Sequence, residues 1–236
     1  MVIDKRILST IIELQELEFL KPFYLAGGTN LALRFNHRRS EDIDLFCEEI
    51  IGINGFAHIE RELTRVFKDR ILFITYPTKQ SNELVFIRLV IKTDDLDVKV
   101  EILQGFKLLK QVEVINNIRL SSIEDIGTFK LESLANRFAL KDLFDLDYIT
   151  EKIQLSSLLI SYKKKKDIYR FNNIKTIFHF DNINCPLENL SILLEVTNKM
   201  SNKLPYHSSP NNLDGVSNEH IIYVTSNWRM KVKRLL

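Results

Sequence analysis

The sequence is poor in the residues that mark several specialised classes of protein. Its 236 residues include seven glycines and five prolines, too few for a collagen-like or low-complexity chain. Two cysteines, Cys47 and Cys185, cannot form a disulfide framework or a zinc cluster by themselves. No run of about eighteen apolar residues occurs, so no membrane-spanning helix is expected.

An excess of charge of one sign is also missing. The chain has 33 basic and 31 acidic residues, so any nucleic-acid binding must come from local patches. Hydrophobic residues make up 45% of the chain, which is typical of a folded protein. Residues 1–19 contain charged side chains throughout their apolar pattern and do not resemble a signal peptide. Together with the low cysteine content, this predicts a cytoplasmic protein in a reducing compartment.

The hydrophobic periodicity predicts an α+β protein with two domains. Residues 1–106 are expected to form a mixed sheet flanked by helices, and residues 107–236 a mainly helical domain that completes a cleft. In the first part, helices are predicted at 3–19, 29–35 and 55–67, and strands at 23–26, 42–47, 71–76, 84–91 and 97–103. In the second part, helices are predicted at 123–140, 143–148, 151–162, 173–180 and 187–200, a loop at 201–218 and a short strand at 220–224.

The most informative stretch runs from Phe23 to Phe46. A short apolar strand reaches Gly27 and Gly28, a short helix follows, and Asp42-Ile43-Asp44-Leu45 then forms a strand. Side chains alternate along a strand, so the two aspartates share one face while the apolar residues point into the core. Neither feature alone is informative, because glycine pairs are usually turns and Asp-x-Asp is often a solvated strand face. Joined in this order, they favour a functional site.

This combination suits a metal–nucleotide complex. Two carboxylates on one rigid face can share divalent cations, and Mg²⁺ prefers hard oxygen ligands that are completed by substrate phosphates. Glycines allow the backbone to approach a phosphate closely, and a helix that begins behind them presents free N–H groups. The expected ligand is therefore a nucleoside triphosphate with Mg²⁺.

The stretch resembles the nucleotidyltransferase superfamily, in which a glycine turn is followed by an Asp-x-Asp strand. Residue by residue, the sequence LAGGTNLALRFNHRRSEDIDLF resembles the AbiEii/AbiGii toxin family. The residues that match this family are Gly27, Gly28, Thr29, Leu31, Ala32, Leu33, His37, Arg38, Ser40, Asp42, Ile43, Asp44, Leu45 and Phe46. The resemblance implies a nucleotidyltransferase fold with two metal ions, Mg²⁺ or Mn²⁺, held by Asp42 and Asp44. It also implies that Gly27, Gly28, Thr29 and Ser40 bind the nucleotide.

The superfamily uses a third carboxylate on a neighbouring strand. The strand predicted at 97–103 places Asp97, Lys99 and Glu101 on the face opposite its apolar residues. Glu101 is the main candidate for the third metal ligand and for helping to activate the acceptor hydroxyl. Asp97 is the competitor, and a solvated edge carboxylate is the alternative for Glu101.

The second half contains another matching segment, from Lys130 to Asp145. On a continuous helix, Lys130, Arg137 and Lys141 would form one narrow cationic stripe beside a buried apolar face. Such stripes are usually solvated, but a similar segment occurs in the AbiEii-like branch. That resemblance implies that Lys130 contacts the triphosphate and that Asp145 is an acidic site residue, with Arg137 and Asp142 as weaker candidates.

The sequence therefore predicts a metal-dependent nucleotidyltransferase that transfers a nucleoside monophosphate to an acceptor hydroxyl. By resemblance it is the toxin of a toxin–antitoxin or abortive-infection pair, with a cognate antitoxin as partner and an RNA end, such as the tRNA 3′ end, as a possible acceptor. Two alternatives stay open. One is an enzyme that modifies a small molecule such as an antibiotic, and the other is a catalytically silent module that binds nucleotide or RNA.

Overall fold

The computed structural model describes residues 3–173, 175–176, 183–197, 204–205, 213 and 215–236. Its helices are α1 (Lys5–Glu16), α2 (Gly27–Phe35), α3 (Gly52–Phe67), α4 (Ile123–Asn136), α5 (Leu140–Thr150), α6 (Leu155–Phe171) and α7 (Asn218–Lys233). Its strands are β1 (Tyr24–Leu25), β2 (Ile43–Phe46), β3 (Ile71–Lys79), β4 (Val85–Lys92), β5 (Asp97–Leu103), β6 (Glu113–Ile115) and β7 (Ile118–Leu120). The predicted α+β class is confirmed.

The strands form one mixed sheet in the order β3-β4-β5-β2-β1-β7-β6. β2 is parallel to β5 and β1 is parallel to β7, while the other neighbouring pairs are antiparallel. The short strands β1 and β2 lie in the middle of this order. The glycine turn that follows β1 and the acidic residues of β2 are therefore held at the centre of the sheet.

One face of the sheet is covered by α1 and α3. The alternate residues of β4 and β5 that point to these helices are fully buried in a common apolar core: Ile87, Leu89, Ile91, Val98, Val100 and Ile102. The residues between them are only partly buried. We call this second side of β3, β4 and β5 the open sheet face.

Helices α4 to α7 enclose a second apolar core. Trp228 of α7 is completely buried there, and its indole N–H donates to the backbone oxygen of Leu193 at 2.9 Å. Trp228 is therefore a packing residue of this core. Lys231, on the same helix, binds Asp147 of α5 at 2.9 Å, so α7 is fixed to α5 by charge as well as by packing.

Several predicted elements differ from the structure. The helix predicted at 123–140 ends at Asn136, and a second helix, α5, starts at Leu140. The strand predicted at 220–224 is wrong, because these residues belong to α7. The helix predicted at 151–162 is observed as α6, and the one at 187–200 as a 3-10 helix over Leu190–Thr197. Most of the helix predicted at 173–180 lies outside the described residues.

The connection over residues 107–120 contains two strands that were not predicted. β6 and β7 form a hairpin whose turn residues Asn116 and Asn117 both have positive φ, and β7 joins the sheet beside β1. The division of the chain at residue 106 stays a prediction. Among the described residues, no helix is both long and apolar enough to cross a membrane.

Candidate functional site

The glycine pair at the start of α2 makes room for protein side chains. Gly27 has a φ of +64°, and a Cβ atom built on it would lie 1.9 Å from Oδ2 of Asp44. A Cβ atom on Gly28 would lie 2.3 Å from a terminal nitrogen of Arg38. The sequence predicts that these glycines allow a phosphate to approach the backbone closely. In the structure they also allow a carboxylate and a guanidinium to pack against the first turn of α2.

Gly27 offers a direct test of this close approach. Gly27→Ala is expected to destabilise the protein because the new methyl group meets Asp44 and the residue is in the left-handed region. The left-handed backbone alone costs about 1–2 kcal/mol and overpacking adds about 1–3 kcal/mol. Gly215→Ala is the matched control, since Gly215 has a φ of +80° and no atom of the described residues lies within 4 Å of its Cβ position. Urea unfolding of both variants checks the difference, and equal losses would contradict the clash.

Thr29 and Ser40 fix the start of β2 against α2. The Thr29 hydroxyl donates to the backbone oxygen of Asp42, and the Ser40 hydroxyl lies 2.9 Å from the same Thr29 oxygen. The Thr29 side chain is buried. These contacts position the first aspartate relative to the glycine turn.

The three predicted carboxylates meet on adjacent strands. Asp44 of β2 lies directly opposite Glu101 of β5 in the parallel register, and Asp42 precedes Asp44 on the same face. Asp97 lies at the far end of β5, opposite Lys92, and is exposed. Of the two candidates for a third carboxylate, the register therefore places Glu101 beside the aspartates and Asp97 away from them.

The carboxylate of Asp44 is in an unfavourable environment for a negative charge. Burial, together with the charges of Glu101 and Asp42, raises its pKa from 3.8 to about 7, although Lys99 and Lys130 act in the opposite direction. A carboxylate that shares its site with like charges is stabilised when a cation arrives. The site therefore has the electrostatic character of a cation-binding site.

Two basic side chains of the sheet balance the other carboxylates. The Lys99 ammonium lies 3.3 Å from Oδ2 of Asp42, and Nε of Arg88 donates to Glu101 at 2.7 Å. Neither Lys99 nor Arg88 was predicted as a site residue. Their positions could have been found from the alternation of β4 and β5, which places both on the face of Glu101.

The case for metal binding rests on the kind of oxygen donors at this site. Within the part of the chain that the structure describes, no group of three His, Cys, Asp or Glu side chains has the arrangement of a ready metal centre. Asp42, Asp44 and Glu101 nevertheless supply the hard carboxylate oxygens that Mg²⁺ prefers. Two of these carboxylates are bound by Lys99 and Arg88, the kind of contact that a bound cation would replace.

A second cluster of charges lies across from the carboxylates, around Asp145 of α5. Asp145 is completely buried, where its carboxylate contacts Arg38 at 2.7 and 2.8 Å, His37 at 2.8 Å and Lys130 at 2.8 Å. Burial alone would raise the pKa of Asp145, but Arg38, Lys130 and these hydrogen bonds hold it well below its usual value. Asp145 therefore acts as the buried counter-ion that positions Arg38 and Lys130.

Asp142 links Lys130 to Arg137. Its carboxylate lies 2.6 Å from Nζ of Lys130 and accepts from Nε of Arg137 at 2.8 Å. Both cations interact with the carboxylates of the sheet. Lys130 lowers the pKa of Asp44, and the negative charges of Asp44 and Glu101 raise the pKa of Arg137. Of the predicted stripe of Lys130, Arg137 and Lys141, the first two meet at the carboxylate of Asp142. The continuous helix expected to align the stripe is not observed, because Arg137 is extended beyond the end of α4 and Lys141 lies on α5.

Arg38 lies in the stretch that matches the family pattern, but it was not predicted as a site residue. The structure buries it between Gly28 and Asp145. The signal available was its place between the glycine turn and the Asp-x-Asp strand. Arg38 thus connects the turn to the helical part of the chain.

Comparisons with known proteins show the family of this chain. The family model described as "Nucleotidyl transferase AbiEii toxin, Type IV TA system" matches residues 10–171, more than half of the chain. An uncharacterized protein from Aquifex aeolicus is 29% identical over 164 residues, which cover 67% of this chain and 74% of that protein.

Two solved structures share the fold. A crystal structure from H. pylori, assigned as a nucleotidyltransferase, has a TM-score of 0.53 and 18% identity, covering 98% of this chain and 94% of that one. MenT4, a nucleotidyltransferase toxin from Mycobacterium tuberculosis, has a TM-score of 0.55 and 12% identity, covering 95% and 80% of the two chains. At 18% and 12% identity these structures show only the fold of the chain, and the family model shows its family. The chain belongs to the AbiEii nucleotidyltransferase toxin family of type IV toxin–antitoxin systems and is a nucleotidyltransferase.

Proposed function

We propose that this toxin-family enzyme transfers a nucleoside monophosphate from a nucleoside triphosphate to an acceptor hydroxyl, in a reaction that depends on Mg²⁺. The observation that carries the proposal is the meeting of Asp42, Asp44 and Glu101 on adjacent strands, with Lys130 and Arg137 facing them. The carboxylates suit a cation, and the cations suit a triphosphate. A site that offers both fits a metal–nucleotide complex.

Asp42, Asp44 and Glu101 would hold two Mg²⁺ ions, with Mn²⁺ as a substitute. Nucleotidyltransferases of this family generally use divalent metals. The crowding of negative charge that raises the pKa of Asp44 to about 7 supports this assignment, because a cation relieves it. When bound, a divalent cation neutralises negative charge on the phosphate that is being transferred.

The chain's own residues account for the other steps. The N–H groups at the start of α2, at Gly27, Gly28 and Thr29, would bind the triphosphate with Ser40, as helix N-termini bind anions. Lys130 and Arg137 would stabilise the charge that develops on it. The acceptor oxygen forms a bond to the α-phosphorus, the bond to the bridging oxygen breaks, and pyrophosphate leaves. Glu101 would take the proton of the acceptor hydroxyl.

The acceptor that we propose is an RNA 3′ end, with tRNA as the first candidate, and the partner is a cognate antitoxin protein. Support comes from the family match to a toxin of type IV systems and from the structural likeness to the toxin MenT4. A protein side chain or a small molecule as acceptor would use the same carboxylates. These acceptors are therefore separated by experiment.

Transfer of label tests the proposal. Each α-labelled nucleoside triphosphate is incubated with Mg²⁺, total RNA and the protein, and the products are separated by size. We expect label to enter RNA with the unaltered protein and the Asp97→Asn control, and to disappear with Asp44→Asn or a chelator. Label in protein or in a small molecule instead of RNA would show that the acceptor is not RNA. Absence of label in RNA, protein and small molecules would contradict the proposed enzymatic activity.

A further inference from the structure

The open sheet face extends from the carboxylates to the edge of the sheet. Ile74 and Tyr76 of β3 pack against the core on the covered side, so Phe73 and Thr75 point to the open side. The register places Phe73 opposite Val90, and Val90 opposite Lys99, which contacts Asp42. A row of side chains thus crosses three strands and ends at Asp42, the residue before β2.

A second row lies beside the first. Thr75 is opposite Arg88, Arg88 is opposite Glu101, and Glu101 is opposite Asp44. Neighbouring strands are about 4.8 Å apart, so Phe73 and Thr75 lie about 14 Å from the aspartates. We call the side chains of the two rows on β3, β4 and β5 the platform: Phe73, Thr75, Arg88, Val90, Lys99 and Glu101.

The platform combines an accessible aromatic ring with cations. Phe73 is 46% exposed although it lies in a strand, and the side chains of Arg88 and Lys99 are 42% and 32% exposed. Arg88 uses Nε to bind Glu101, and its guanidinium lies over the ring of Phe86, 5.9 Å from the centroid. Lys92, at the end of β4, adds an exposed cation on the same face.

We propose that this platform binds the single-stranded end of the nucleic-acid acceptor, stacking a base on Phe73 and leading the backbone along Arg88 and Lys99 to the carboxylates. Proteins that bind single strands combine an aromatic ring, on which a base stacks, with a basic track for the phosphates. The inference rests on the proposed function, because it assumes that the acceptor hydroxyl is delivered to Asp42 and Asp44.

The pairing of Lys99 and Arg88 with carboxylates is compatible with this role. In the present arrangement the two cations balance Asp42 and Glu101. Cations bound by these carboxylates would take over that balance and leave Lys99 and Arg88 available for phosphates. The platform would then become more basic when the nucleotide site is loaded, which favours a polyanion over a neutral acceptor.

Binding of RNA without reaction tests the platform. The full chain is titrated into a fluorescein-labelled single-stranded oligoribonucleotide in the absence of nucleoside triphosphate, and affinity is read by fluorescence anisotropy. Phe73→Ala is expected to weaken binding about five- to hundredfold, the usual range for loss of one stacking contact. Phe73→Trp should bind the oligonucleotide as tightly as the unaltered protein, because the indole ring can also stack on a base. Val114→Ala is the matched control, since Val114 is 65% exposed on β6, at the other edge of the sheet, and should leave affinity unchanged.

Salt dependence gives a second readout. Lys92→Ala is expected to reduce the slope of log affinity against log salt by about 0.7, as for one phosphate contact to a single strand. Circular dichroism confirms that each variant is folded. If label enters RNA but Phe73→Ala binds the oligonucleotide as tightly as the unaltered protein, the platform is wrong and the proposed function stands. If label enters a protein acceptor and Phe73→Ala leaves RNA affinity unchanged, the platform is likewise overturned.

Discussion

The Asp44→Asn variant is expected to be inactive in nucleotidyl transfer and yet more stable to unfolding than the unaltered protein at pH 8 in a chelator. The ionised Asp44 carboxylate is disfavoured in the fold by burial and by the charges of Glu101 and Asp42, which raise its pKa from 3.8 to about 7. At 1.36 kcal/mol per pKa unit this corresponds to about 4 kcal/mol at most. A neutral amide of the same shape removes that repulsion.

The pH dependence follows from the direction of the shift. Because the pKa of Asp44 is higher in the folded protein, the free energy of unfolding falls as the pH rises from 3.8 to about 7. Below pH 3.8 the carboxyl group is protonated in both states and this loss is absent. The advantage of Asp44→Asn should therefore be largest above pH 7 and should vanish below about pH 4. Chemical denaturation at several pH values measures it, with Asp97→Asn on the exposed end of β5 as the control that should change little.

Addition of Mg²⁺ should reduce this advantage of Asp44→Asn. A ligand that binds only the folded state stabilises it by about 2.7 kcal/mol at a hundred times its Kd. The unaltered protein should gain stability with Mg²⁺, whereas Asp44→Asn should not. Equal or lower stability of Asp44→Asn at pH 8 without metal would show that the carboxylates do not repel one another as the structure indicates.

The centre of the site could be predicted from sequence because strand geometry is simple. Side chains alternate with a period of two, so Asp42 and Asp44 had to share a face, and the same rule selected Glu101 on β5. What the alternation could not supply was the register between β2 and β5. That register comes from tertiary packing, and it is what brings Glu101 to Asp44 and leaves Asp97 at the end of the strand.

The elements that were predicted wrongly depend on distant contacts. Residues 220–224 are rich in β-branched side chains, which favour a strand locally. They form a helix because Val224, Trp228 and Val232, spaced by four, bury one stripe against the second core, and Ser217 caps its start. The break after Asn136 has no glycine or proline to mark it. There the chain is extended, and the backbone N–H of Phe138 donates to Pro205.

The hairpin of β6 and β7 had a local signal that the sequence reasoning missed. Asn116 and Asn117 both adopt positive φ, at 50° and 64°, as the two-residue turns of tight hairpins require. Asparagine tolerates this conformation better than most residues. The strands themselves are three residues each, too short for their alternation to stand out.

Asp145→Asn is expected to destabilise the protein by about 3–5 kcal/mol at pH 7, because it removes the counter-ion of charges that have little access to water. The side chains of Arg38 and Lys130 are 5% and 12% exposed, and both bind the Asp145 carboxylate. The amide keeps the shape but not the charge. Glu151→Gln, at the end of the same helix, is the matched control, because Glu151 is 58% exposed and pairs with Lys231 at the surface. Its effect should stay under about 1 kcal/mol.

The pH dependence of this effect has the opposite sign to that of Asp44. The pKa of Asp145 is held well below its usual value, so its contribution to stability is present above the ordinary pKa of 3.8 and is lost as the pH falls further. The difference between Asp145→Asn and the unaltered protein should therefore be constant from neutral pH to about pH 5 and should shrink in stronger acid. Urea unfolding across this range measures it. If Asp145→Asn is as stable as Glu151→Gln at pH 7, then Asp145 does not hold Arg38 and Lys130 in place, and other contacts must position these two cations.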